Sequence, residues 1–174
     1  MQIFLRPITE SDGNNIVKWR NDPEVKSHCL DKSPVTLESN LAFYRANVET
    51  GKYKQYMVDC MDEVTGVCAY PIATVYLKDM DYGNKRCELC IFTSSDGEWN
   101  PEGQAIAIKM LIEKAFNEFG MHKVYSYVFK KFSSEVDLLT NAGFIIEATL
   151  RKEAQDVDGE YKDLVRLCIF NEQT

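Results

Sequence analysis

The order of strand and helix patterns along the chain predicts an α+β fold, in which a mixed, mainly antiparallel sheet carries helices on its faces. The stretch Cys87–Phe92 is typical of a buried strand, and a polar loop connects it to an amphipathic helix. In that helix the apolar residues recur at helical spacing, opposite the charged ones: Ile108, Leu111, Ile112, Ala115, Phe116 and Phe119. One side of this helix must therefore lie on a sheet. Two alternating stretches joined by Asp158-Gly159 predict a terminal β-hairpin.

The first elements follow from local signals. Residues 2–7 alternate as a strand. Thr9 and Asp12 have the spacing of a capping box, which predicts a helix from about residue 10 through Trp19. The Asn21-Asp22-Pro23 sequence is expected to end that helix and to open a loop.

The middle of the chain predicts one more helix and a meander. The loop is expected to reach Pro34, and Thr36 is the predicted N-cap of a helix that ends at Gly51. Residues 53–61, 71–80 and 87–92 then predict three antiparallel strands.

The long amphipathic helix is expected to end at Gly120, and residues 122–129 predict the next strand. A short helix begins at Ser133 or Ser134, with Val136, Leu139 and Ala142 directed inward. Gly143 followed by Phe144 indicates a Schellman stop.

Composition predicts one folded domain, residues 1–174, in the cytoplasm. Of the 174 residues, 45% are hydrophobic, no apolar run is long enough to cross a bilayer, and the first residues lack a signal-peptide pattern. The net charge is −7 and the pI is near 4.9. This surface disfavours nucleic acid and mildly favours a cationic amine, although the charge can equally serve solubility alone.

The six cysteines predict reduced, mostly buried thiols and no metal site. Cys87 and Cys90 form a C-x-x-C motif, but three residues along a strand place them on opposite faces. The chain has no second such pair and only two histidines, so a structural zinc site is not expected.

The loop before the long helix is the first candidate binding feature. A strand that feeds a helix presents backbone N–H groups and the positive end of the helix dipole at one point. Proteins hold phosphate or pyrophosphate there, so the loop predicts a site for a nucleotide-like cofactor. A purely structural role for the loop remains open.

Several segments, in this order and spacing, resemble the GNAT superfamily of acyl-CoA-dependent N-acyltransferases, in particular its RimJ/RimL-like and spermidine-acetyltransferase branch. They cover nearly the whole chain: LRPITESD, WRNDPEV, PIATVYLKDMD, CELCIF, AIKMLIEKAFNEFGMHKVYSYV, NAGF and GEYKDLVRLCIF. The resemblance implies a GNAT sheet of six to seven strands with about four helices, splayed open after Cys87–Phe92. It also implies acetyl-CoA as co-substrate, no metal, and direct attack by an amine in a ternary complex.

The resemblance implies roles for particular residues. Glu88 is the candidate general base, although it could instead be a strand glutamate bonded to the neighbouring hairpin or exposed to solvent. The backbone of Cys90, Ile91, Phe92 and Thr93 would hold the acyl and pantetheine part. The remaining cofactor contacts would come from Asn100, Glu102, Gly103, Gln104, Ala105 and Phe132.

The acceptor groove implied by the resemblance lies between the early helices and the terminal hairpin. Its predicted lining is Trp19, Arg20, Asn21, His28 and Phe43, with Tyr161 and Asp163 from the hairpin. The acceptor is expected to be a small-molecule amine or a protein N-terminus, and the protein a monomer or homodimer. Trp19 and Phe43 can also be core residues, and His28 a surface residue.

Three departures from the family pattern matter for activity. The loop keeps Gly103 but places Glu102 where a pyrophosphate would bind. Phe132 stands where relatives often have Asn, and Leu139 where a Tyr commonly protonates the leaving thiolate. A GNAT-fold binding module with a degenerate site, or an enzyme with another acyl donor, is therefore the alternative to acetyl transfer.

Overall fold

The computed structural model describes residues 1–66 and 69–173, and these form a seven-stranded sheet. The strands are β1 (Ile3–Pro7), β2 (Lys54–Met61), β3 (Ala69–Asp81), β4 (Arg86–Cys90), β5 (Lys123–Phe129), β6 (Ile145–Gln155) and β7 (Tyr161–Phe170). Their order in the sheet is β1-β2-β3-β4-β5-β7-β6. Only β4 and β5 pair in parallel; the other neighbours are antiparallel. The predicted mixed, mainly antiparallel α+β fold is confirmed. The prediction for Cys68 lies outside the described residues.

The described part of the chain has five α-helices: α1 (Gly13–Asn21), α2 (Pro23–His28), α3 (Leu37–Phe43), α4 (Pro101–Glu113) and α5 (Ser133–Asn141). A 3₁₀ turn, Glu10–Asp12, precedes α1, and π-helical turns extend α3 to Val48 and α4 to Glu118. No helix among the described residues is both long and apolar enough to cross a membrane.

Helix α2 was not predicted, because the sequence around Asp22 was interpreted only as a helix stop. Asp22 is in fact the N-cap of α2, and its carboxylate accepts the Glu24 N–H at 2.9 Å. Pro23 occupies the first helical position, where a missing N–H costs nothing. The same residues that end α1 therefore start α2.

The predicted N-cap of α3 and the predicted stop of α5 are confirmed. Thr36 and Ser39 form a reciprocal capping box at α3. At the end of α5, the Phe144 N–H donates to the Leu139 carbonyl at 3.1 Å and the Gly143 N–H to the Thr140 carbonyl at 3.0 Å. With Gly143 at φ 101°, this is a Schellman motif.

The main core lies between the sheet and the helices α4 and α5. Ile108 and Leu111 of α4 and Leu139 of α5 are fully buried in it. A smaller cluster on α1 joins Ile16 and Trp19 to Met57 of β2. These contacts fix α1 against β2.

A three-residue ion network links β1 to the turn before α1 and to β2. The Arg6 guanidinium donates to both carboxylate oxygens of Asp12, at 2.8 and 2.9 Å, and to Asp59 at 2.7 Å. Asp12 also accepts the Thr9 N–H at 2.8 Å, as the predicted capping box requires. Burial alone would raise the pKa of Asp12, but the hydrogen bonds from Arg6 and Thr9 lower it overall.

We expect Asp12→Asn to lower the free energy of unfolding at pH 7 by about 2 kcal/mol, since a bidentate charged hydrogen bond is lost. Because the folded-state pKa of Asp12 is depressed, its contribution is complete above the unfolded pKa of about 4 and disappears as the pH falls through the folded value. Urea unfolding from pH 7 to pH 2 measures both effects.

The matched control is Glu10→Gln in the same turn. Glu10 pairs with Arg45 at 3.2 Å in an exposed contact, so its loss should cost only about 0.5 kcal/mol. Equal losses in the two variants would contradict the role given to Asp12.

Candidate active site

The strands β4 and β5 part halfway along their length. They pair only at Arg86↔Lys123, Cys87↔Val124 and Glu88↔Tyr125. Beyond that point the Leu89 carbonyl accepts the Ser126 hydroxyl at 2.9 Å instead of a backbone N–H. Strand β5 continues along β7 to Phe129, whereas β4 ends at Cys90. The sheet therefore splays open at this point, as the sequence resemblance implied.

A cavity of about 430 Å³ lies at the parting, between the sheet and the early helices. Its sheet side includes Thr74, Tyr76, Lys78, Glu88, Cys90, Ser126 and Tyr127. The segment from α1 to α3 supplies the other wall, including Ile16, Arg20, His28, Asp31, Ser39 and Phe43. Tyr53, just before β2, also lines the cavity.

The Glu88 carboxylate is the buried acid of this cavity, with its side chain only 8% exposed. Lys78, its cross-strand partner on β3, places its ammonium 3.5 Å from the carboxylate, and the Cys90 thiol donates to it at 3.6 Å. Burial raises the pKa of Glu88, and Lys78 offsets only part of that effect. Glu88 is thus a stronger base than an ordinary glutamate, as general-base catalysis requires.

Cys90 remains a thiol rather than a thiolate. Burial raises the pKa of Cys90 well above the ordinary value, and the charge of Glu88 raises it further. Its contribution to the cavity is therefore a weak hydrogen bond and a small apolar surface.

The stretch after β4 differs from the sequence prediction, because the strand ends at Cys90 rather than at Phe92. The Ile91 carbonyl accepts the Trp99 indole N–H at 3.1 Å and the Thr93 N–H at 3.0 Å. The Thr93 hydroxyl donates to the Thr74 carbonyl. These contacts turn the chain away from the strand direction.

The loop before α4 makes its hydrogen bonds internally. Trp99 is buried, and the Asn100 side chain caps α4 by accepting the Gly103 N–H at 3.1 Å. The Gln104 N–H donates to the Asn100 carbonyl and the Gln104 side chain to the Trp99 carbonyl. The predicted cofactor residue Ala105 follows in the helix, half-buried.

This arrangement leaves few donors for a pyrophosphate. Pro101 has no N–H, and the Gly103 N–H is already bonded to the Asn100 side chain. Among the described residues of the first turn of α4, the Glu102 N–H is therefore the amide that lacks a cap partner. The Glu102 carboxylate lies at the same point, 3.1 Å from the Met1 amino group. The loop therefore offers fewer donors to a pyrophosphate than the sequence resemblance implies.

His28, a predicted acceptor contact, lies on the cavity wall and stacks on Phe132 with ring centroids 3.8 Å apart. Its Nδ1 atom contacts the carboxylate of Glu135, the third residue of α5. Burial alone would lower the pKa of His28, but Glu135 and Glu24 raise it overall. Phe132, a predicted cofactor contact, thus packs against a predicted acceptor contact.

The structure places the other predicted acceptor residues in different environments. Arg20 lines the cavity, whereas Trp19 is 3% exposed and belongs to the core. Asn21 bonds the backbone of Val35 in both directions, at 2.6 and 2.9 Å, and so fixes the loop wall without facing the cavity. Tyr161 begins β7, pairs with Gln155 and is exposed. Asp163 accepts the Lys152 N–H on the same hairpin.

Sequence reasoning missed Lys78, Tyr76, Tyr53 and Glu135. Tyr76 and Lys78 stand at alternate positions of β3, opposite Cys90 and Glu88. Side chains at such positions share one face, so the predicted pairing of the two strands was the signal that could have found them. Among the described residues, no three His, Cys, Asp or Glu side chains converge as metal ligands.

A buried carboxylate beside two parted strands is the kind of cavity that an acyltransferase can use. The model of the acetyltransferase (GNAT) domain family matches residues 2–145. No curated protein matches the chain significantly. The chain belongs to the GNAT acetyltransferase family. It is an acyl-CoA-dependent N-acetyltransferase, with acetyl-CoA as co-substrate.

Solved structures share the fold. Spermidine N-acetyltransferase from Vibrio cholerae, in complex with CoA and spermine, is 22% identical with a TM-score of 0.85, over 97% of this chain and 95% of that one. Mutant forms of the spermidine/spermine N-acetyltransferase SpeG from the same organism are 21% identical with a TM-score of 0.81, over 99% and 95% of the two chains.

We expect Glu102→Gln to bind CoA about fivefold more tightly. The substitution removes about 1 kcal/mol of repulsion between the Glu102 carboxylate and the CoA pyrophosphate at the N-terminus of α4. Calorimetric titration with CoA at near-physiological salt measures this change. Glu113→Gln, an exposed residue at the other end of α4, is the matched control and should leave the affinity unchanged. Equal affinities of Glu102→Gln and the unaltered protein would show that the pyrophosphate binds elsewhere.

Proposed function

We propose that the protein acetylates the primary amine of a small molecule that binds in the cavity beside Glu88, by direct attack in a ternary complex. The observation that carries this proposal is the buried Glu88 carboxylate at the parting of β4 and β5. The enclosing walls from α1 to α3 suit a small acceptor better than a protein N-terminus. The Vibrio cholerae enzyme binds a small-molecule amine, spermine, in its complex.

In the proposed mechanism, acetyl-CoA supplies the activated acetyl group as a thioester. Glu88 accepts a proton from the acceptor ammonium, so that the neutral nitrogen can attack the thioester carbonyl. The carbon–nitrogen bond forms, the carbon–sulfur bond breaks, and the leaving thiolate takes a proton from solvent. Leu139, which stands where relatives carry a Tyr, is fully buried and has no proton to give.

The polypeptide contributes mainly position and electrostatics. Lys78 holds the Glu88 carboxylate in place. The segment after Cys90, which follows the end of the β4–β5 pairing, is the proposed contact for the pantetheine part. His28 and Phe132 together form the proposed boundary between the acceptor side and the cofactor side of the cleft.

The closed loop before α4 supports a second candidate, an acyl donor that lacks a nucleotide. Acetyl-pantetheine distinguishes the two, because it carries the same thioester without the pyrophosphate and adenosine. A turnover with acetyl-pantetheine equal to that with acetyl-CoA would favour the second candidate. A clear preference for acetyl-CoA would show that the first turn of α4 still binds the pyrophosphate.

The remaining predictions concern organisation. We infer a single domain over residues 1–174, present as a monomer or homodimer. A cytoplasmic location is supported by the five described cysteines, all of which are free thiols.

We expect Glu88→Gln to lower kcat/KM for amine acetylation by about 10²- to 10⁴-fold, the usual contribution of a general base. In the unaltered enzyme, kcat/KM should fall as the pH falls through the pKa of Glu88, since the protonated acid accepts no proton. Because burial raises that pKa, this acid limb should lie above the ordinary glutamate range near pH 4. A pH profile of kcat/KM measures it.

The partner variant is Lys78→Gln. The Lys78 charge lowers the pKa of Glu88, so its removal should shift the acid limb to higher pH. A general base usually contributes at least about 10²-fold. A loss of only about threefold in Glu88→Gln would therefore show that Glu88 is not the base.

A further inference from the structure

The charges that line the cavity are not those of a site for a polycation. The positive side chains are Arg20 and Lys78, and the carboxylates are Asp31 and Glu88. His28 adds an imidazole, whose partners are the carboxylates of Glu135 and Glu24. Positive and negative groups are thus balanced, although the chain as a whole carries a net charge of −7.

Three of these four charges already have partners. Lys78 pairs with Glu88 at 3.5 Å. Asp31 accepts the Ser33 N–H at 2.9 Å, and its pKa is lowered by the hydrogen bonds from Ser33 first and by the charge of Arg20 to a smaller extent. The Asp31 carboxylate therefore bonds to the backbone of its own loop.

Arg20 has no carboxylate within ion-pair distance among residues 1–66 and 69–173. Its guanidinium donates to the Cys29 thiol at 3.2 Å and to the Asp31 carbonyl at 3.4 Å. Both acceptors are neutral and both contacts are weak. A guanidinium has five N–H donors arranged to grip a carboxylate or phosphate, so most of this capacity is left for a ligand in the cavity.

An aromatic wall belongs to the same cavity as Arg20 and the base. Phe43 meets Tyr53 edge-on at 4.9 Å, and Tyr53 lies 5.6 Å from Tyr76. Tyr76 is paired across the strands with Cys90, two residues from Glu88. Arg20 and Tyr76 line the same cavity. Burial raises the pKa of Tyr76, as does Cys90, whereas the charge of Arg20 opposes them.

We propose that the acceptor is a primary amine that carries an anionic group, a carboxylate or a phosphate, on the far side of a flat or apolar body, and that Arg20 binds this group. The amine lies at Glu88, the body lies along the aromatic wall, and the anion meets the guanidinium. This inference rests on the proposed function and names its acceptor class. A polyamine would instead bring a second ammonium toward Arg20 or Lys78.

The test compares kcat/KM for matched acceptors at saturating acetyl-CoA. Benzylamine has the amine and the ring, 4-(aminomethyl)benzoate adds a carboxylate, 4-(aminomethyl)phenyl phosphate adds a phosphate, and spermidine is the polycation. We expect the better anionic acceptor to exceed benzylamine by about 10- to 100-fold, the value of a charged hydrogen-bonded pair. The carboxylate and phosphate arms decide which anion is preferred.

Arg20→Gln should reduce that ratio to near one, and Arg20→Lys should restore part of it. Arg45→Gln, an exposed arginine paired with Glu10, is the matched control and should leave the ratio unchanged. Urea unfolding of each variant separates a loss of recognition from a loss of fold.

Three results would overturn the proposal while amine acetylation stands: benzylamine as good as the anionic acceptors, spermidine better than all of them, or an unchanged ratio in Arg20→Gln. A protein that binds acetyl-CoA but acetylates none of these amines would contradict the proposed function itself.

Discussion

The parting of β4 and β5 is the constraint on which the site depends. A parallel pair that continued past Glu88 and Tyr125 would bring the next backbone groups together and close the cavity. The Ser126 hydroxyl prevents an unsatisfied carbonyl at this point, because it donates to Leu89 in place of a backbone N–H. Strand β5 then relies on β7 for its remaining hydrogen bonds. The terminal hairpin is thus required to hold open a cleft that it does not line.

The same geometry explains why an acid can be buried here. An isolated carboxylate would lose several kcal/mol of hydration energy on burial. The antiparallel register of β3 and β4 sets Lys78 directly opposite Glu88, and this offsets part of that cost. The compensation is incomplete, since the pKa of Glu88 is still raised. The incomplete compensation makes this carboxylate more basic than an ordinary glutamate, which is what the proposed general-base role requires.

Features that depend on a few adjacent residues could be predicted from the sequence, whereas features that depend on the pairing of distant segments could not. The Schellman stop at Gly143 and the capping box at Thr36 depend on a few adjacent residues, and both are confirmed. Helix α2 was missed because Asp22 and Pro23 can end one helix and start another, and adjacent residues do not distinguish the two. Side chains from distant strands are harder still: that Lys78 faces Glu88 depends on the pairing register, which a one-residue slip would reverse.

The acceptor residues show the same limit within one helix. Trp19 and Arg20 are neighbours, so their side chains point about 100° apart around α1. Trp19 enters the core against Met57, and this contact fixes the rotation of the helix. With that rotation fixed, Arg20 must face the cavity. The motif that carried the family resemblance therefore combines a residue that orients the helix with one that contacts the cavity, and only the packing of α1 on β2 separates the two roles.

The loop before α4 shows how stability and ligand binding compete for the same groups. The Gly103 N–H can be satisfied by the Asn100 side chain or by a phosphate oxygen, but the structure satisfies it internally. Trp99 likewise occupies the Ile91 carbonyl. Each internal bond makes the loop more rigid without a ligand and leaves one fewer group for the cofactor. We therefore expect binding of acetyl-CoA to depend more on its thioester end than on its pyrophosphate. In the proposed function the acceptor is recognised separately, in the cavity where most donors of Arg20 are available.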